Sequence, residues 1–114
     1  MKLEEVHRRA REQPSKFLVI LEDNFHYMDD DERWVAGTFD TYEEALAAAQ
    51  KVVVDSVNHC AEGKRDAGEI LGCYAMFGED AWILPTPEGV ERFSARTFAV
   101  SVAERLDLRP HGDS

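Results

Sequence analysis

The chain has 114 residues, 44% of them hydrophobic and 32% charged, the size and balance of one globular domain that buries a core without needing a metal or a disulfide; this excludes a disordered or fibrous chain. Its net charge of -10 is uneven, because residues 1–16 hold five basic and three acidic side chains and leave 8 basic against 20 acidic for the rest. A body near -12 repels polyanions, so nucleic acid is not an expected partner.

Residues 2–12 read as a short helix with Leu3, Val6 and Ala10 on one side, ended before Pro14. The stripe is thin, so residues 1–15 are expected either to dock loosely or to form an arm. No apolar signal-peptide centre occurs here, and the longest apolar run, Phe17 to Leu21, is too short to cross a bilayer. A cytoplasmic protein with no membrane partner is the expectation.

Lys16 to Asp23, KFLVILED, has the branched and aromatic content of a buried central strand. Arg33 to Phe39, RWVAGTF, reads as a second strand, paired with the first as a hairpin. Alternation puts Trp34, Ala36 and Thr38 on one face and Val35 and Phe39 on the other, and Gly37 signals a bulge or a close neighbour. Thr41 and Glu44 in TYEE form a capping box at the start of a long helix. Its apolar face runs through Tyr42, Ala45, Leu46, Ala49, Val52, Val53 and Val57, and Gly63 is a left-handed stop.

Asp66 caps a short helix through Tyr74, though Gly68 and Gly72 weaken it. Ala81 to Leu84, AWIL, reads as a strand stopped by PTPEG. Ser94 caps the last helix, with Phe93 and Phe98 at the spacing of a hydrophobic staple and Ala95, Phe98, Ala99, Val102 and Leu106 on its apolar face. The two cysteines, Cys60 and Cys73, have no CxxC partner and no clustered histidine; they read as reduced, partly buried thiols, with a disulfide as the alternative. The expected fold is therefore α+β: a small antiparallel sheet of about three to four strands with two main helices on one face, a single domain over 16–108 and a frayed tail over 109–114.

No glycine-rich phosphate cradle, cofactor motif or calcium loop is present, and none of the serines or cysteines has a motif-placed base. His26 with Asp29, Asp30 and Asp31 has the ligand types of a cation site, but the acids are contiguous and lack the central glycine of a calcium loop. Glu79 and Asp80 with Glu22 or Asp23 offer paired carboxylates, one of them raised by burial, for acid and base work. Phe25, His26, Tyr27, Met28 and Trp34 exceed what a hairpin connection requires, and aromatic anchors ringed by charge are common at protein interfaces.

The stretches DNFHYMDDDERWVAGTFDTYEEALAAAQKVV and YAMFGEDAWIL, with FSARTFAVSVAERL behind them, resemble a family of small uncharacterised bacterial proteins, some of which carry a gliding-motility label. The resemblance spans residues 17–108 and implies a bacterial cytosolic domain, with attention on Phe25 to Met28 and on Phe77 to Asp80. The expected function is a non-enzymatic interaction or regulatory module that binds another protein, or a second copy of itself, through Phe25, His26, Tyr27, Met28, Trp34, Phe77, Glu79, Asp80 and Trp82, without a cofactor. The alternative is a metal-dependent or carboxylate-based enzyme using His26, Asp29–Asp31, Glu79 and Asp80.

Overall fold

The computed structural model describes residues 2–23, 33–63 and 66–107. In chain order these form α1 (Leu3–Glu12), β1 (Phe17–Asp23), β2 (Arg33–Phe39), α2 (Tyr42–Ala61), α3 (Ala67–Phe77), β3 (Glu79–Leu84) and α4 (Ala95–Leu106). The fold is α+β: a three-stranded sheet in the order β2-β1-β3, antiparallel throughout, with helices packed against it.

The apolar run of β1 is central because it is sandwiched. Val19 and Leu21 face α2 and pack with Tyr42, Ala45 and Ala49, whereas Leu18 and Ile20 face the other way. The bulge signalled by Gly37 is present, since Val19 pairs with Gly37 but Ile20 with Val35, leaving Ala36 as an extra residue. That extra residue corrects the expected faces of β2. Val35, opposite Ile20, packs on the α1 side, and Phe39, opposite Phe17, packs on the α2 side. Cross-strand partners share a face, and one inserted residue flips every side chain beyond it.

The helices start where the cap residues stand. The Glu44 N–H donates to Thr41 Oγ1 at 3.1 Å and the Thr41 N–H to Glu44 Oε1 at 3.2 Å; Asp66 accepts from the Glu69 N–H at 2.9 Å and Ser94 from the Thr97 N–H at 3.2 Å. The Phe93 and Phe98 rings lie 5.9 Å apart as the staple requires, and Gly63 takes the left-handed φ of 76° just past α2. With 20 residues, α2 is about 30 Å long and exceeds the width of a three-stranded sheet. Its first half covers the sheet, and its second half, through Val53, Val57 and Cys60, builds another core with Ile70 and Tyr74 of α3 and Ala95, Ala99, Val102 and Ala103 of α4.

The N-terminal helix docks, and it does so on the face opposite α2: Val6 is fully buried against Leu18 and Ile20, with Ala10, Val35, Trp82 and Leu84 around them. The reading of Cys60 and Cys73 as free thiols is corrected. They form a disulfide, with Cα atoms 5.7 Å apart, a separation suited to the bond. The cause is tertiary: α2 and α3 fold back on each other across a short connection and bring the two helix faces together, which a spacing of 13 residues does not reveal.

Candidate functional site

Because β1 is central, β3 is an edge strand, and among the described residues no strand pairs with its outer side. A groove of about 550 Å³ runs along that side, within the size range of ligand sites. Consecutive residues Asp80 to Leu84 all line it. Side chains alternate between faces along a strand, so a lining of both parities means that the wall is the backbone edge itself. Leu3 and His7 of α1 flank the groove on one side, and the segment from Arg92 to Arg96 leading into α4 flanks it on the other.

Near the start of β3 the register sets Glu22 opposite Asp80. Glu22 is held in place: its Oε2 accepts from Trp82 Nε1 at 2.7 Å and its Oε1 from Arg33 Nη2 at 3.1 Å. These three side chains come from three strands yet share the α1 face, since Trp82 is opposite Ile20 and Arg33 opposite Glu22. Burial pushes the Asp80 carboxyl above its ordinary 3.8; its bond with the Ala81 N–H opposes this, the Glu22 charge adds to it and the Arg96 guanidinium opposes it.

The first residue of β3 is pinned from the helical side. The Glu79 N–H donates to Ser56 Oγ of α2 at 3.1 Å, and its carbonyl accepts from the Tyr74 hydroxyl of α3 at 2.9 Å. Burial, and secondarily the Asp80 charge, hold the Tyr74 phenol above its ordinary range, so that it stays a hydrogen-bond donor. Gly78 joins α3 to β3 with no room for a side chain: a Cβ there would stand 2.8 Å from the Tyr74 carbonyl.

The expected interface residues are only partly brought together. Asp80 and Trp82 line the groove and Glu79 leads into it. Phe77, at the end of α3, is 58% exposed beside Met76 and borders a separate cavity with His59 and Cys60. Trp34 sits on the other edge strand, opposite Leu21 and hence on the α2 face, 41% exposed. Phe25, His26, Tyr27, Met28 and Asp29–Asp31 lie outside the described residues. Their flanking residues Asp23 and Arg33 pair at the same end of the sheet as Glu79 and Asp80. Among the described residues no three His, Cys, Asp or Glu side chains come together as a metal site, and no helix is long and apolar enough to cross a membrane.

Sequence reading named Glu22 as one possible carboxylate but missed Arg33, Arg96 and His7. Glu22 carried a signal, being in step with Leu18 and Ile20 at period two; the arginines and the histidine become neighbours only through β-pairing and helix docking. Comparison with protein-family models, with curated proteins and with solved structures finds no match for this chain.

Proposed function

We propose that this domain is a protein-interaction module that takes an extended segment of a basic partner along the outer edge of β3, with which no strand pairs among the described residues. The observation that carries this reading is the groove lined by every residue from Asp80 to Leu84, because an incoming strand finds main-chain donors and acceptors there and side-chain pockets on either flank. The whole-chain charge of -10 favours a basic partner over a second copy of the same acidic chain and speeds encounter at low salt; this attraction is long-range, because the groove itself mixes Glu22 and Asp80 with Arg92 and Arg96. Asp80 and Trp82 contact the segment, and Glu79 borders it.

The test is an NMR titration of isotope-labelled protein with pools of extended peptides containing lysine and arginine. Amide shifts concentrated at residues 80–84 and 92–96, with affinity falling as salt rises, are the expected result. Binding by no pool, or shifts confined to the exposed side of α2, would count against it. Self-association through the same edge would show instead as a concentration-dependent mass in sedimentation.

A second reading, acid–base chemistry on a small molecule, is favoured by one observation: the raised Asp80 carboxyl faces a Glu22 carboxylate fixed by Trp82 and Arg33. A carboxyl raised by burial beside a second carboxyl is a working arrangement of many hydrolases. Hydrolysis of a chromogenic glycoside, ester or phosphate substrate that disappears in Asp80→Asn would move the assignment to this reading.

A further inference from the structure

We propose that Cys60 and Cys73 are a thiol-exchange site for a dithiol reductant, and that their redox state sets how firmly the β3 groove is held. The proposal rests on the groove as the partner site and concerns its regulation. The disulfide ties the last turn of α2 to the middle of α3. Those two helices also pin the first residue of β3. Ser56, one turn before Cys60, accepts from the Glu79 N–H, and Tyr74, next to Cys73, donates to the Glu79 carbonyl. The covalent bond and the two hydrogen bonds therefore close one clamp, with only Gly78 between α3 and β3.

Apart from that bond, α3 is held by the second core, by its Asp66 cap and by the Ala67 N–H bond to Asp107. Only Ile70 and Tyr74 of its 11 residues are fully packed, and Gly68 and Gly72 lower its intrinsic helicity. Opening the bond frees α3 to shift or fray, and the Tyr74 hydroxyl moves with it. Segments with few buried contacts are the ones that open first. The clamp meets the groove at Asp80, so the change reaches the residues expected to touch the partner.

Of the two cysteines, Cys73 is the more exposed, and Cys60 is 3% exposed. Cys73 is half-buried, while Cys60 borders a cavity of about 290 Å³ that also touches Ser56, His59, Phe77 and Glu79. A thiolate of the dithiol attacks Cys73 Sγ, forming a mixed disulfide as the Cys60 sulfur leaves and takes up a proton. The second thiol of the reductant then attacks its own bridged sulfur, closes the reductant's disulfide and releases Cys73 as a thiol. Two electrons and two protons pass to the protein.

The experiment compares amide hydrogen exchange in the full chain, oxidised and after dithiothreitol treatment without denaturant, with thiol titration to count reduced sulfurs. Expected on reduction are no thiols rising to two, exchange at least tenfold faster across 67–77 and 79–82, and little change in the β1–β2 pairing. In Tyr74→Phe the response at 79–82 should shrink while that at 67–77 persists; Cys73→Ser should resemble the reduced protein under both conditions. Unchanged exchange at 79–82 after full reduction would overturn the proposal, and so would uniform acceleration everywhere or two thiols that no disulfide oxidant can pair. No partner is present in this measurement, so its failure falls on the switch alone; peptides that bind in neither redox state would instead count against the partner site.

Discussion

Asp80 shows how one carboxyl is shaped by a strand register. Placed opposite Glu22 and largely shielded from water, it binds its proton more tightly than an exposed aspartate. A carboxyl raised in the fold stabilises the fold only while protonated: its contribution is complete below pH 3.8, the ordinary value, and is lost as pH climbs through the higher folded value. Asp80→Asn should therefore gain thermal stability relative to the parent chain as pH rises from about 3 to 8, with little difference at the acid end. Melting curves of both proteins across that range measure it; a constant offset would mean that proton affinity is not the cause. The potential for such a pair was readable from the acids that close β1 and open β3. Their meeting with Arg33 and Trp82 was not, because each belongs to a different strand.

At the scale of elements, caps and stripes were legible because both are local. Thr41, Asp66 and Ser94 each satisfy donors three residues away, and the Phe93–Phe98 staple spans a single turn. The destination of α1 was less so, because a stripe of Leu3, Val6 and Ala10 says that something is covered but not what. Val6 supplies the only fully buried side chain of α1, and it fills a site on the sheet between Leu18 and Ile20. Val6→Ala removes about two methyl-sized groups, worth roughly 2 kcal/mol once the residual cavity is included. Since α1 docks as an appendage on the sheet, the loss should appear as local opening: amide exchange in 4–12 accelerates by roughly tenfold or more, while α2 and β1 keep their protection. Equal acceleration in all elements would mean that α1 is integral to the global fold.

At the scale of the whole molecule, charge is the dominant feature that no single contact expresses. A net -10 on 114 residues repels itself in the compact state, and most of the acids among the described residues are exposed enough to be screened. Raising monovalent salt from about 0.01 to 0.3 M shortens the screening length from roughly 30 Å to well under 10 Å, and the melting temperature should rise by a few degrees. The same salt should weaken capture of a basic segment. Opposite responses of stability and binding to one variable would tie both to the same field; a melting temperature indifferent to salt would mean that the acids are already neutralised by neighbours.

Length, charge and hydrophobic period determined the α+β class, the central place of β1, the caps, the staple and the bulge beside Gly37, since each depends on residues at most a few positions apart. Only the tertiary structure decided which face each half of β2 presents, where α1 lies, that α2 overhangs the sheet into a second core, and that Cys60 meets Cys73. Those outcomes hang on residues 10 to 60 positions apart being brought together by pairing and packing. The Glu22–Trp82 contact, across 60 positions, is the plainest case: either residue alone reads as an ordinary strand end, and the groove exists only because β3 returns to the free side of β1.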